Sequence, residues 1–177
     1  RVDIAMFYLS GRRVIGAIKS AVRRGVSVRL LLDPNKDAFG RQKGGIPNRQ
    51  VAWEFMAMEE AGIGQGGGGT GGVEVRWYHT NGEQFHTKLL AFHTTRGTTL
   101  LGGSANLTRR NLGDYNLEAD LLVRADDALS AQALDYFERL WSNQGGDFSV
   151  GYEVWADDSW WKRVVYRIQE FSGLSSF

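Results

Sequence analysis

Val2–Leu9 (VDIAMFYL) is apolar at almost every position, the pattern of a strand buried on both faces. The period then changes. Val14, Ile15, Ile18 and Val22 recur at helical spacing, which predicts an amphipathic helix over Arg12–Arg24 with Ser10 as its cap. Gly25 supplies the C-terminal stop, and Val26–Leu32 (VSVRLLL) reads as a second strand. Strand, helix and strand on short connections form a βαβ unit, so part of the sheet is parallel. A second helix is predicted over Arg49–Glu60, and strands over Val73–His79, Phe85–His93, Thr98–Gly102 and Leu117–Arg124. The short link His93–Gly97 makes the middle two a hairpin. Asp126 or Asp127 caps a helix to about Asn143, with Leu129, Ala133, Tyr136, Phe137 and Leu140 on its apolar side. A last helix is predicted over Asp157–Glu170, with Trp160, Trp161, Val164, Val165 and Ile168 available for packing. The class is α/β: a mixed β-sheet flanked by helices on both faces, in one domain over residues 1–177.

Two connections differ in character. Residues 33–48 form a loop at the C-terminal end of a parallel strand, where ligands commonly bind. It carries Lys36, Arg41 and Lys43, followed by Arg49. Gly62–Gly72 (GIGQGGGGTGG) is too rich in glycine to order cheaply and reads as a flexible surface connection; it lacks the ending of a nucleotide-phosphate loop. Charge is uneven beneath a net of +1: residues 1–50 hold eleven Lys and Arg against three Asp, and the remainder is acidic. A basic segment of that size attracts anions, although solvated helix faces would look the same. There is no Cys, which excludes a disulfide framework, a thiolate metal site and a cysteine nucleophile. No apolar run approaches the ~18 residues of a membrane-spanning helix. Because the chain opens on Arg1, one residue before a core strand, it is expected to be a fragment of a longer protein.

Chemistry concentrates in His86-Thr-Lys88, Gly103-Ser104-Ala-Asn106 and Asn116-Leu-Glu118. His86 and Lys88 are two apart on a predicted strand, so their side chains share a face. Gly103 lets an anion approach the backbone, while Ser104 and Asn106 add a hydroxyl and a carboxamide. Imidazole, ammonium, hydroxyl and amide together suit a tetrahedral phosphoryl group. His86 titrates near neutrality and so suits a nucleophile or a general acid. Its second nitrogen needs an orienting partner, for which Glu118 is the candidate. Gly103 and, from the basic loop, Lys36 are the candidate substrate-binding positions. His79 and His93 read as structural. His86 and His93 are seven apart on one strand and face opposite ways, so a shared metal is not expected. Trp141, Trp160 and Trp161 read as core rather than as ligand platforms, with membrane contact open to any that is exposed.

These three elements in this order resemble the phospholipase D superfamily, in which His-x-Lys, an Asp and Gly-Ser-x-Asn follow a strand–helix–strand lead-in. The resemblance spans Val2–Trp141. It departs at one place: the motif Asp falls five positions after Lys88, where His93 stands. Asp114 or Asp120 is a possible substitute. The resemblance implies a metal-independent, cofactor-free, two-step reaction on a phosphodiester. One His forms a phosphohistidine, and a second protonates the leaving oxygen. It also implies two motifs per active site, whereas this chain has one. The missing motif lies in the first half of the same protein or in a homodimer partner. For a second half, His86 takes the acid role; in a homodimer it is also the nucleophile. The leading expectation is a bacterial phosphodiesterase or phosphatidyltransferase of the cardiolipin-synthase-like kind, cytoplasmic or in peripheral contact with a membrane. A phospholipid headgroup is favoured over nucleic acid, because no aromatic cluster or basic groove surrounds the motif. The alternatives are a single-motif homodimeric nuclease and a non-catalytic anion-binding or scaffolding module.

Overall fold

In the computed structural model, which describes residues 1–38, 41–63, 71–113, 115–124 and 127–172, the βαβ unit forms as expected. β1 (Val2–Met6) and β2 (Val28–Leu32) pair in parallel through α1 (Arg12–Arg23). Two short strands, β3 (Asp37–Ala38) and β4 (Arg41–Gln42), make a separate antiparallel pair. α2 (Asn48–Glu60) leads to β5 (Val73–Tyr78), parallel to β2. β6 (Lys88–Thr94) lies antiparallel to β1, and β7 (Gly97–Gly103) follows it as a hairpin. After α3 (Arg109–Leu112), β8 (Asp120–Arg124) pairs with β7. α4 (Asp127–Trp141), β9 (Ser149–Gly151) and α5 (Trp160–Ser172) complete the described chain. The seven-stranded sheet runs β8-β7-β6-β1-β2-β5-β9.

Side-chain alternation on the central strands builds two cores. Ile4 and Met6 of β1 and Leu30 and Leu32 of β2 face α1, α2 and α5, packing with Ile15, Phe55 and Tyr166. Ala5 and Leu31 face the other way, onto Phe137, Leu140 and Trp141 of α4. Helices therefore cover both faces of the mixed sheet. Each fully buried aliphatic or aromatic side chain contributes about 2 kcal/mol, which is why the strand cores read so clearly in the sequence. On the α4 side the layer also holds charge. The Arg29 guanidinium donates to both carboxylate oxygens of Asp3, at 2.8 and 3.0 Å, and lies over the rings of Phe137 and Trp141.

Four expectations are corrected. Ser10 does not cap α1: Gly11 is the N-cap residue. The amides of Ser10 and Gly11 both donate to the Leu107 carbonyl, which holds this segment outside the helix. The third central strand starts at Lys88, not Phe85, because the Phe85 N–H is taken by the Asp33 carboxylate at 2.7 Å instead of by a neighbouring strand. Trp160 and Trp161 are not core; they are 69% and 52% exposed, whereas Trp141 is buried. The side of α5 that packs carries Tyr166 and Glu170, selected by the hydrogen bond from Tyr166 to the Ser10 carbonyl (3.0 Å) and by Arg12. Leu129 of α4 is likewise exposed. Asp114, Asp126 and most of the glycine-rich stretch, residues 64–70, lie outside the described residues.

Candidate active site

The central edge of the sheet, where the parallel strands end, gathers the predicted groups. Met6, the last residue of β1, lies opposite Lys88, the first of β6, and Gly102 of β7 lies opposite Leu89. His86 thus precedes the strand, but it still meets Lys88: Nζ stands 3.0 Å from His86 Nδ1 and donates to the His86 carbonyl at 2.8 Å. Lys88 is buried, at 8% exposure, while the His86 side chain opens to solvent. Burial and the adjacent ammonium push the His86 imidazole below its ordinary range. Burial also lowers Lys88, opposed by the field of Glu118.

The neighbouring strand end supplies the oxygens. Ser104 Oγ donates to Glu118 Oε2 at 2.5 Å and accepts from the Ala119 amide at 2.9 Å. Asn111 Nδ2 donates to the other Glu118 oxygen. The hydroxyl of Ser104 is the main cause holding the Glu118 carboxyl below its usual range, with Asn111, Asn116 and Lys88 assisting. Glu118 does not reach the imidazole, so its expected orienting role is corrected: the group on His86 Nδ1 is Lys88. Local contacts with Ser104 and Asn111 hold the carboxylate first. Asn106 Oδ1 accepts the Tyr8 amide at 3.2 Å, which fixes the carboxamide and leaves Nδ2 as its donor end. Gly103 is packed so closely on β8 that a Cβ would be driven into the Ala119 carbonyl and Asp120. Lys36 lies against Thr80 and Trp155, donating to the Thr80 carbonyl at 3.2 Å.

Beneath these groups is a buried polar platform that sequence reasoning missed. Asp33 accepts from the amides of Phe85 (2.7 Å) and Asn35 (2.6 Å). Asn48 donates to the carbonyls of Phe7 (2.7 Å) and Asp33 (2.8 Å). Phe7 and Phe85 are the neighbours that hold His86: the Phe7 ring lies 4.8 Å from the imidazole, and Phe85 adjoins it in the chain. Burial pushes the Asp33 carboxyl up, against its three donated hydrogen bonds. The available signal was an acidic residue directly after the apolar run VRLLL. Lys43 is placed by the same loop, donating to the Tyr8 hydroxyl at 2.6 Å.

His93 belongs to a different constellation. Its Nε2 lies 2.9 Å from Asp3 Oδ2, and its Nδ1 lies 3.2 Å from the Thr98 hydroxyl. Of the suggested substitutes for the motif Asp, Asp120 accepts from the Ala105 amide beside Ser104 (3.2 Å) and is not the carboxylate at His93. Among the described residues no cluster of three or more His, Asp and Glu is arranged to hold a metal ion.

Comparison with known proteins agrees with this architecture. The family model described as "cardiolipin synthase, PLD-like domain" matches residues 1–141. NucT from Helicobacter pylori superposes with a TM-score of 0.53 at 19% identity, over 85% of this chain and 80% of that one. Nuc from Salmonella typhimurium, a phospholipase D family member, gives 0.57 at 17% identity, over 80% and 77%. Phosphatidylserine synthase from Haemophilus influenzae gives 0.57 at 16% identity, over 98% of this chain but 39% of that one. No curated protein matches the sequence. At these identities the structures establish the fold, and the family match over most of the chain establishes kinship: this chain belongs to the phospholipase D superfamily, in its cardiolipin-synthase-like branch.

Proposed function

We propose that the chain carries the acid half of a phosphodiesterase or phosphatidyltransferase site that works through a phosphohistidine. Members of the superfamily are generally enzymes of these two kinds. The observation that carries the reading is the 3.0 Å contact between Lys88 Nζ and His86 Nδ1 at an open strand end. An ammonium can only donate, so Nδ1 accepts and the neutral ring carries its proton on Nε2. The Nε2 lone pair is then not available for attack, which argues against His86 as the resting nucleophile. A phosphodiester anion entering here takes over the hydrogen bonds of Lys88, frees Nδ1 and favours the imidazolium by its charge.

The chemistry follows from that state. A nucleophilic imidazole from a second motif attacks phosphorus; the N–P bond forms and the P–O bond to the leaving group breaks. The leaving oxygen takes the Nε2 proton of His86. Water or an acceptor alcohol then returns a proton to His86 as it attacks phosphorus and breaks the N–P bond. Asn106 donates to the phosphoryl oxygens, and Ser104 does so once its proton turns from Glu118 to the entering anion; Lys36 and Gly103 are assigned to substrate binding. No metal takes part. The second motif comes from a preceding half of the same protein or from another copy. A phospholipid substrate is favoured because the Phe7 ring beside His86 is buried, as are Tyr8 and Phe85, and they offer no stacking platform to bases.

A second reading is a homodimeric nuclease. It is supported by the fold, which superposes on NucT and Nuc over 85% and 80% of this chain. Crystals soaked in tungstate test the site itself: the anion is expected on Lys88, Ser104 and Asn106, and an anion elsewhere overturns the assignment. His86→Ala assayed on phosphatidylglycerol and on single-stranded DNA, alone and with a first-motif partner, separates the two enzymes. Undiminished turnover excludes His86 as the acid. Tungstate binding without turnover by the wild type, even when a first-motif partner is supplied, indicates a non-catalytic anion-binding module.

A further inference from the structure

The large apolar side chains left open on α5 share one side of the helix. Trp160, Trp161, Val164, Ile168 and Phe171 are between 48% and 86% exposed. At ~100° per residue they fall within about 100° of arc, and they run ~16 Å along the helix axis. The opposite side is anchored by Tyr166, which is fully buried, while Arg167, beside the stripe, is paired to Glu54 at 3.0 Å. The stripe is therefore a fixed ridge, not a frayed end.

The ridge adjoins a broad recess. Phe171 lines a groove of about 1090 Å³ that runs between α1, α3 and the end of α5. Its floor is apolar, formed by Val2, Ile4, Ile18, Leu90 and Phe92. Arg12, Arg13, Arg109 and Arg167 border it; Arg12 and Arg167 are paired to Glu54, Arg109 donates to the carbonyls of Glu170 and Phe171, and Arg13 is exposed. None of His86, Lys88, Ser104, Asn106 and Glu118 lines it.

We propose that the α5 ridge and this groove together dock the protein on an anionic phospholipid bilayer. Three features favour a bilayer over a folded partner. A convex ridge beside a deep groove would demand a matching contour from a rigid protein, whereas acyl chains conform to both. Two tryptophans lie at the start of the stripe, and indole rings favour the boundary between headgroups and hydrocarbon. Arg13 and Arg109, the bordering arginines that no carboxylate pairs among the described residues, flank the apolar surface instead of interrupting it, so their long stems can lie along it while the guanidiniums meet lipid phosphates. The acidic residues of this region, Asp157 and Asp158, precede the helix, and Asp157 is neutralised by Lys162 at 2.5 Å. The inference deepens the preference for a phospholipid substrate, but it uses none of the groups around His86.

The test is co-sedimentation of the full chain with sucrose-loaded vesicles of one part phosphatidylglycerol to two parts phosphatidylcholine, at physiological ionic strength. Binding is expected there and is expected to be much weaker on pure phosphatidylcholine. Ile168→Ser and Phe171→Ser should each weaken it about tenfold; both positions are exposed, so the fold is retained, as circular dichroism checks. Arg13→Glu should weaken binding to the anionic vesicles by about tenfold or more. Tryptophan quenching by brominated lipid gives an answer in the unmodified chain, without relying on any variant. Absence of sedimentation or of quenching overturns the proposal. So does a dimer in solution that Ile168→Ser and Phe171→Ser dissolve while vesicles are ignored, since a second copy would then cover the ridge. No turnover is measured, so failure of the catalytic reading leaves this result intact, and the converse holds.

Discussion

Replacing Lys88 by Met removes the charge next to His86 while keeping an apolar stem of similar length in the buried channel. Two unit charges 3.0 Å apart repel by about 1.4 kcal/mol even at the dielectric constant of water. That corresponds to about one pKa unit. Since Lys88 is buried beside Phe7, the true repulsion is at least this large. The His86 pKa, held down first by burial and then by Lys88, should therefore rise by about one unit in Lys88→Met. Long-range ¹H–¹⁵N spectra report the titration and the tautomer together, with His86→Gln identifying the resonance. In the wild type at high pH the proton should sit on Nε2; in Lys88→Met that preference should relax. Tungstate should raise the His86 pKa of the wild type as well, because it draws the ammonium away from Nδ1. An unchanged or lower pKa in Lys88→Met would refute the argument, since it would mean that the ammonium does not act on the ring.

The remaining expectations concern the frame. Returning the family's Asp to position 93 should not repair anything: His93→Asp sets a second carboxylate against Asp3, and like charges in a half-buried site should lower unfolding stability by about 1–3 kcal/mol in urea titrations. Adding Asp3→Asn to that variant should recover part of the loss, so the two changes should be non-additive; strict additivity would show that the pair does not interact. Stability should also fall on acidification. Asp3 and Glu54 have lowered folded-state pKa values, through their Arg and Lys partners, so their stabilisation is present above the ordinary carboxylate range and is lost as pH falls through the folded values. His93 is lowered from 6.5 chiefly by burial, which adds a loss of the same sign at higher pH. Asp33, raised by burial, opposes this trend over the carboxylate range. A thermal midpoint that rises as pH drops below 6.5 would contradict the balance.

The parts of the fold that the sequence made legible are those where one physical effect dominates. VDIAMFYL and VSVRLLL can only be central strands, because burial on two faces needs near-continuous apolar residues, and the hairpin at His93–Gly97 follows from a short link whose Gly97 adopts a φ of 118°. The orientation of α5 was not legible. Hydrophobicity alone turns Trp160, Trp161 and Ile168 inward, whereas the polar contacts of Tyr166 with Ser10 and Arg12 turn them out, and those partners lie more than 150 residues away in the chain. The site divides the same way. His86, Lys88 and Ser104 announced themselves by type and spacing. That Lys88 and not Glu118 sits on the imidazole depends on which carboxylate contacts are nearer, and Asn111, which competes for Glu118, carries no motif.

The departure at His93 looks, in the sequence, like damage to the catalytic motif. The geometry argues otherwise. Lys88 and His93 are five residues apart on β6, a rise of ~17 Å, and odd spacing puts them on opposite faces of the sheet. A side chain at 93 therefore acts on the α4 side, far from any anion held by Lys88. What it meets there is Asp3, which already binds Arg29 with both oxygens and lies 3.3 Å from Arg1. A carboxylate is thus present at this place; it comes from β1, and His93 has become its partner. His93 thus makes an acid–base contact between adjacent strands and leaves the charge balance of the sheet interior favourable. Because β1 and β6 together carry Phe7, His86 and Lys88 to the open edge, this pairing bears on the position of those groups through the backbone of the two strands rather than through the reacting atoms. The substitution alters how the frame is fastened and leaves the imidazole–ammonium pair intact, so an inactive chain would have to be explained by the missing second motif before it is explained by His93.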